Sequence, residues 1–336
     1  MRKAWVTAML LLVCATVAEA QIAAPLSKPD SSKPDTSTPQ ATQSPIRVQV
    51  NLVNVLFTVT DKKGRTQTGL AKDDFRVFED GKPQTISFFS KETDLPLRIG
   101  VLIDTSNSVS ERLHFEEEAA IDFLSEAIRP GKDQAFVVGF DVEPQLVQDY
   151  TDDVEKLSNA VRGLAAGGTT SLYDALYYAC KQKMLNLSDT TANGTSGPYL
   201  RRVLIVVSDG RDTNSGRSRD EALVMAERSE AIIYAISTNN SGSNTAGGNA
   251  PNAYGPGDKI LKYFADETGG KVFYPFEASD LASNFREIGA ELRSQYSLAY
   301  TPSNNKRDGT FRRITVETDE KGLRVRARAG YFAPSN

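Results

Sequence analysis

From residue 97 to residue 294 the sequence alternates short apolar runs with amphipathic helical segments, and this alternation constrains the fold more than any other feature. The runs VLIVV and AIIYAI are apolar at almost every position, as in strands that are covered on both faces. The pattern predicts an α/β fold with a doubly wound, mostly parallel sheet. We predict strands at residues 97–103, 134–140, 145–148, 202–207, 231–236 and 271–273. We predict helices at residues 115–128, 154–164, 172–185, 220–229, 259–268 and 281–294.

The segments on either side of this unit have the two-residue period of β-strands. Residues 46–59 alternate apolar and polar side chains, and the phase slips near residue 52, which indicates a bulge. Asp80-Gly81 is a tight-hairpin dipeptide, and strands follow again from residue 296. Because chain ends of a domain often lie close together, we predict a small β-sandwich formed by both ends. The expected domains are 46–93 and 296–333 for the sandwich and 95–295 for the α/β unit.

The first 45 residues are predicted to be a signal for export followed by a linker, and not part of a folded domain. Residues 1–20 combine Arg2 and Lys3, an apolar run of about 14 residues and the small-x-small end of a signal peptide, with cleavage between Ala20 and Gln21. That run is shorter than the roughly 20 residues that span a bilayer, so no membrane span is expected after cleavage. Residues 21–45 are rich in Pro, Ser and Thr and read as a disordered linker. We expect a secreted or periplasmic, cell-envelope protein.

The composition argues against nucleic-acid binding and against an intrachain disulfide. The chain carries 39 Lys and Arg against 43 Asp and Glu, a net charge of −4, so no basic field for nucleic acid is present. It has 2 cysteines, of which Cys14 lies in the predicted signal peptide. Cys180 then has no partner for an intrachain disulfide, and its place on an apolar helix predicts a buried, unreactive thiol.

Five oxygen-bearing side chains follow strand-like runs or a glycine turn. Asp104, Ser106 and Ser108 lie in IDTSNS, Thr170 lies in GGTTSLYDAL, and Asp209 lies in VVSDG. The carboxyl ends of parallel strands meet at one edge of a sheet, so these loops are expected to converge. Two carboxylates and three hydroxyls are hard ligands that suit Mg²⁺ or Mn²⁺, with Ca²⁺ possible in a relaxed site. Such a site, with two formal charges, favours capture of a carboxylate from outside.

These residues resemble a von Willebrand factor A domain that carries a metal-ion-dependent adhesion site, over about residues 97–294. The resemblance implies that Ser106 and Ser108 ligate directly and that Thr170 ligates directly or through water. It implies that Asp104 and Asp209 act largely through bridging waters. Residues 46–333 are also similar to secreted bacterial proteins related to von Willebrand factor A, most of which lack an assigned ligand.

We therefore expect a non-enzymatic adhesion module that binds a protein partner through this metal site. The alternative is a structural envelope scaffold, in which the metal only stabilises the loops and recognition uses the β-sandwich. In that alternative the basic side chains of Arg324, Arg326 and Arg328, which alternate along one strand, meet an acidic surface. Exposure to solvent is the default expectation for them.

The helix predicted at residues 115–128 is expected to lie next to the proposed site. Phe115 is predicted on its apolar stripe, and Glu116-Glu117-Glu118 on its solvent face. His114, the 1 histidine of the chain, is expected to be a solvated residue at the helix start.

Overall fold

The computed structural model describes residues 52–92, 95–109, 113–185, 200–239, 255–275 and 278–335. Its strands are β1 Val53–Asp61, β2 Phe75–Glu79, β3 Lys82–Gln84, β4 Ile86–Glu92, β5 Leu97–Asp104, β6 Gln134–Phe140, β7 Pro144–Thr151, β8 Arg201–Ser208, β9 Ile232–Ser237, β10 Val272–Phe273, β11 Gln295–Tyr300, β12 Phe311–Thr318, β13 Leu323–Ala327 and β14 Gly330–Phe332. Its α-helices are α1 Leu113–Ala127, α2 Val154–Arg162, α3 Leu172–Tyr178, α4 Arg219–Ser229, α5 Pro256–Thr268 and α6 Ala278–Leu292. The predicted signal peptide and linker lie outside the described residues, and the bulge predicted near residue 52 falls at their edge and stays a prediction.

Within the described residues, a six-stranded sheet has the order β10-β9-β8-β5-β6-β7. All neighbours are parallel except β6 and β7, which are antiparallel. Strand β8 is buried from Val203 to Ser208, which explains its unbroken apolar run. The predicted α/β fold class, with a mostly parallel sheet and added antiparallel sheets, is confirmed.

The helices cover both faces of this sheet. Side chains of α1, α2 and α6 share one core with the sheet, and side chains of α3, α4 and α5 share another. The predicted helix at 172–185 is α-helical only as far as Tyr178, and a π-helical turn continues it over Ala179–Met184. This two-sided packing leaves the loops at the strand ends, rather than the sheet faces, as the accessible part of the sheet.

The predicted orientation of α1 is wrong at its first turn. Glu116 is 2% exposed, whereas Phe115 is 52% exposed. Residue 116 precedes Ala120, Phe123 and Ala127 by four, seven and eleven positions, so it lies on the same helix face as these buried residues. Glu117 is also buried, and of the three glutamates only Glu118 has a largely exposed side chain.

Two four-stranded antiparallel sheets among the described residues combine strands from both ends of the chain. Their orders are β13-β1-β11-β4 and β14-β12-β2-β3. Apolar side chains from both sheets, including Phe57, Val77 and Tyr296, form one core. The predicted Asp80-Gly81 hairpin joins β2 to β3, and both residues have positive φ, 48° and 75°, as a type I′ turn requires. Strand β14, which pairs with β12, was not predicted.

A buried polar cluster joins the sandwich to the α/β unit. Glu291 near the end of α6 is 4% exposed and accepts hydrogen bonds from Thr58 of β1 at 3.1 Å and Tyr234 of β9 at 2.6 Å. Arg326 of β13 forms an ion pair with the same carboxylate. These contacts lie within one compact unit, Gln49–Asn336. The predicted boundaries at residues 93–95 and 295–296 stay predictions.

The expected exposure of Arg324, Arg326 and Arg328, which lie on or just after β13, is wrong for two of the three. Besides its ion pair, Arg326 donates from Nε to the Gly269 carbonyl at 3.2 Å. Arg328 donates to Glu230 and to the Asn54 carbonyl, both at 2.7 Å. The face that Arg326 and Arg328 share is turned toward the α/β unit, so alternation along the strand has placed them in the junction.

Candidate metal centre

The loop after β5 is joined by backbone hydrogen bonds to the loop before α3. Thr105 O accepts from Gly167 N at 2.7 Å, and Gly168 O accepts from Asn107 N at 3.3 Å. Gly168 has φ +71°, and a Cβ there would lie 2.8 Å from Val142 Cγ2, so this position requires glycine. These contacts hold the segment with Asp104 beside the segment with Thr170.

The loop before α3 is joined in turn to the loop after β8. Thr170 O accepts hydrogen bonds from Thr213 N at 2.9 Å and Asn214 N at 3.0 Å, and Thr170 N donates to Thr213 Oγ1 at 3.1 Å. Asp212, the residue before Thr213, accepts from Tyr173 N at 3.2 Å and therefore caps the start of α3. Three loops that carry the predicted ligands thus meet at the carboxyl edge of the sheet.

Asp104 ends β5 and is completely buried, at 0% exposure. Its Oδ1 accepts from Ser106 N at 3.0 Å and its Oδ2 accepts from Ser208 Oγ at 2.7 Å. Burial raises the pKa of this carboxyl and the negative charge of Asp209 raises it further, while hydrogen bonds from Ser106 and Ser208 offset only part of the effect. Hydrogen bonds that reach its two oxygens come from Ser106 N and Ser208 Oγ, which are neutral groups.

Asp209 follows β8 and is 7% exposed. The next residue, Gly210, has φ +75°, and a Cβ there would lie 2.2 Å from the Gly257 carbonyl oxygen. Likewise, a Cβ on Gly257 would lie 2.0 Å from Asp209 O. Since neither glycine leaves room for a side chain, the start of α5 packs directly on the Asp209 loop.

The other predicted ligands are neutral hydroxyl residues. Ser106 is 2% exposed and Thr170 is 4% exposed, so both are buried at this edge. Ser106 O accepts from Val109 N at 3.2 Å, which turns the chain back after Asp104. The side chain of Ser108 lies outside the described part of the structure, and its role stays a prediction.

Sequence reasoning missed the polar residues that hold the carboxylate loops. Ser208 Oγ links Asp104 to the Gly210 N–H, which donates to it at 3.0 Å. Asn239 Nδ2 donates to Asp209 O at 2.7 Å and to Asp258 Oδ1 at 2.8 Å, and Ser237 Oγ donates to the same Asp258 oxygen at 2.6 Å. The available signal was the serine that ends each of two neighbouring strands, β8 and β9. Ser208 and Ser237 are paired in register.

The residues at this edge fit a hard divalent cation. Two buried carboxylates, Asp104 and Asp209, interact unfavourably, and Asp104 is contacted by the hydroxyls of Ser106 and Ser208. A cation would relieve both the cost of burial and the repulsion. The described residues contain no cluster of three or more His, Cys, Asp or Glu. The donors at this edge are oxygen atoms, which suit hard divalent cations as a class.

Arg211 lies beside this edge. Its backbone N–H donates to Asp209 Oδ1 at 2.9 Å, and its Nε lies 3.9 Å from Asp209 Oδ2. The side chain is 68% exposed. It is thus a solvent-facing cation next to a predicted ligand.

The predicted exposure of His114 and the predicted burial of Cys180 are confirmed. His114 has a side chain that is 76% exposed and faces Glu117 and Glu118 along α1. Cys180 is completely buried, and burial raises the pKa of its thiol to about 12.

Comparison with protein families supports the class that the fold and this edge define. Residues 99–211 match the family model of the von Willebrand factor type A domain. The α/β part of the chain accordingly has the fold of such a domain, a class that generally mediates protein–protein interaction. A comparison with curated protein sequences gave no match.

Solved structures with this fold are similar to the chain at low identity. A von Willebrand factor type A protein from Catenulispora acidiphila is 14% identical, with a TM-score of 0.47, over 78% of this chain and 74% of that one. Proximal thread matrix protein 1 from the mussel byssus, in a form with a zinc-occupied MIDAS motif, is 14% identical, with a TM-score of 0.46, over 64% of this chain. This chain spans about half the length of the mussel protein, 50%.

A third similar structure is an aerotolerance-related membrane protein from Bacteroides fragilis. It is 15% identical, with a TM-score of 0.42, over 58% of this chain and 98% of that one. In this chain, none of the helices built from described residues has the length and apolarity needed to cross a bilayer.

Proposed function

We propose that this chain is an exported, non-enzymatic binding module that captures a carboxylate of a protein partner at a bound divalent cation. Asp104, Ser106, Ser108, Thr170 and Asp209 would hold Mg²⁺ or Mn²⁺, with Ca²⁺ as the less suited ion. The observation that carries the proposal is the fully buried Asp104, whose two oxygens accept hydrogen bonds from the neutral groups Ser106 N and Ser208 Oγ at an edge that also holds the buried Asp209. A carboxylate in that setting supports a cation site rather than a structural ion pair.

The balance of charge supports capture of an anion. The two carboxylates match the charge of one divalent ion, and the hydroxyl oxygens of Ser106 and Thr170 add none. A bound ion would supply a Lewis-acidic position for one further anionic oxygen. A side-chain carboxylate from another protein provides that oxygen, whereas a neutral amide is a weaker ligand.

The proposal is tested with two short peptides that differ only in their central residue, which is glutamate in one and glutamine in the other. A peptide with a central glutamate is expected to bind in Mg²⁺ and not in EDTA, and its glutamine counterpart is expected to bind at least tenfold more weakly. Asp104→Ala is expected to abolish binding, while His114→Ala, which changes an exposed residue of α1, leaves it unchanged. Binding that persists in EDTA would reject the proposal.

The export part of the proposal is tested separately. If residues 1–20 are removed during secretion, the protein recovered from the envelope or medium begins at Gln21. Mass spectrometry of its N-terminal peptide decides this, and an N-terminus at Met1 in the exported fraction would contradict cleavage.

The alternative of a structural scaffold that recognises partners through β13 has lost part of its basis. Arg326 and Arg328 are engaged by Glu291 and Glu230 inside the molecule, and of the three arginines Arg324 alone is exposed. A purely structural role for the metal makes a different prediction. Metal removal would then destabilise the loops, and a peptide carboxylate would not bind whether or not the metal is present.

A further inference from the structure

The backbone that carries Arg211 is fixed on both sides. Before it, Gly210 is pressed against Gly257, and the Arg211 N–H is bonded to the Asp209 carboxylate at 2.9 Å. After it, the Asp212 carboxylate is bonded to the first turn of α3. The backbone from which the Arg211 side chain starts is therefore fixed beside the carboxylate edge.

The guanidinium of Arg211 is less engaged than those of its neighbours. Within the described residues its ion pair is with Asp209, at 3.9 Å, and the side chain is 68% exposed. By contrast, Arg217 donates to Glu221 at 3.3 Å, and Arg219 donates to Asp220 from both Nε and Nη2, at 3.1 Å and 2.9 Å. The loop after β8 thus leaves one arginine with its donors directed to solvent beside the proposed cation.

We infer that Arg211 is a second anchor for the partner, so that the preferred ligand is an acidic segment with two neighbouring carboxylates. This inference rests on the proposed function and names what the same site selects. One carboxylate would complete the shell of the cation, and the next would accept hydrogen bonds from the Arg211 fork. Charge-assisted bonds of this kind are stronger than neutral ones, and arginine matches the planar carboxylate in geometry.

A consequence concerns the cation itself. Arg211 and a divalent ion carry like charges and share Asp209 as a counter-charge. Without a ligand, Arg211 therefore weakens binding of the ion, and an anionic ligand relieves the repulsion. At exposed positions in physiological salt this repulsion corresponds to about a two- to threefold change in affinity.

The experiment compares Arg211→Gln with the wild-type chain by calorimetry. The first arm titrates Mg²⁺ alone. The second titrates, in saturating Mg²⁺, a peptide with two adjacent glutamates and the two peptides in which one of them is glutamine. Arg76→Gln is the control, because it removes the same charge from the 57% exposed Arg76 on β2 of the sandwich.

In the wild-type chain the two-glutamate peptide is expected to bind about tenfold more tightly than either single-glutamate peptide. Arg211→Gln is expected to reduce this ratio to about twofold and to tighten Mg²⁺ binding about two- to threefold, while Arg76→Gln changes neither. An unchanged ratio in Arg211→Gln would overturn the inference and leave the proposed function standing. If the wild-type chain binds Mg²⁺ but none of the peptides, the proposed function itself fails and the inference with it.

Discussion

A buried carboxylate lies at each end of strand β5, and the two carboxylates differ in the groups that contact them. At its start, Asp133 accepts from Leu97 N at 2.8 Å and from Arg129 and Arg293. At its end, Asp104 accepts from Ser106 and Ser208 and faces Asp209. Both carboxylates are 0% exposed. The difference therefore lies in their partners and not in their depth.

The pKa values of the two groups follow from those partners. Burial alone would raise the pKa of Asp133, but hydrogen bonds from Arg129, Leu97 N and Arg293 lower it to about 2. Burial and Asp209 raise the pKa of Asp104. A buried carboxylate held by arginines fixes the end of a helix or strand, whereas one held by hydroxyls next to another carboxylate is ready for a cation.

The largest expected effect is on stability. Asp133→Asn should lower the free energy of unfolding by about 3 kcal/mol, because it leaves two partly buried arginines, Arg129 and Arg293, without their counter-charge. The matched substitution Asp104→Asn should change the metal-free stability by less than about 1 kcal/mol, because it removes a disfavoured charge. Urea unfolding of both variants in EDTA measures this. Equal losses would remove the distinction between the two ends of β5.

The contribution of Asp133 to stability at the start of β5 should be lost at acid pH. The folded-state pKa of Asp133, about 2, lies below the value of about 3.9 in an unfolded chain. Its contribution, about 2 kcal/mol, is complete above the unfolded value and is lost as the pH falls from about 5 toward 2. The stability difference between the wild-type chain and Asp133→Asn should shrink over that range. A difference that is the same at pH 3 and pH 7 would show that the charge of Asp133 is not responsible.

The next prediction concerns the close backbone contact between Gly210 and Gly257 at the carboxyl edge of the sheet. Gly210→Ala should cost about 2 kcal/mol and weaken Mg²⁺ binding at least tenfold, because a Cβ there meets the Gly257 carbonyl. Gly81 is the control, since its φ is also +75° but a Cβ there meets nothing within 4 Å. Gly81→Ala should cost about 1 kcal/mol and leave Mg²⁺ binding unchanged. If both variants bind Mg²⁺ equally, the contact with α5 does not shape the site.

The smallest effect is expected at Ser208. Its hydroxyl orients the Asp104 carboxylate without being a predicted ligand, so Ser208→Ala should weaken Mg²⁺ binding about five- to tenfold and cost about 1 kcal/mol of stability. Ser229, a buried hydroxyl on α4 that donates to Ala226 O at 2.9 Å, is the matched control. Ser229→Ala should cost a similar stability with Mg²⁺ binding intact, and a parallel loss of Mg²⁺ affinity would contradict the role of Ser208.

The fold could be predicted because its parts differ in the period of their apolar residues. Unbroken apolar runs indicated buried parallel strands such as β8, and alternation of apolar and polar residues indicated the sandwich strands. The first turn of α1 was misplaced, since a glutamate on a buried face contradicts the usual rule. The short strand β14 has only three residues, Gly330–Phe332, too few for any period to show.

The site was predictable only in its candidate ligands. Asp104, Thr170 and Asp209 could be found because each follows a strand or a glycine turn. The residues that orient them could not. Asn239 contacts Asp209 across 30 positions of sequence, and Gly257 contacts Gly210 through backbone atoms alone. Such contacts depend on how the loops pack, which no local pattern records.

The central claim is that the carboxyl edge of the sheet binds a divalent cation through Asp104. Its most direct test is calorimetric titration of Mg²⁺ into the metal-free wild-type chain and into Asp104→Asn, with circular dichroism to establish that both are folded. The account predicts one Mg²⁺ per wild-type chain and none for the variant. No binding to the folded wild-type chain, or equal binding to both proteins, would contradict it.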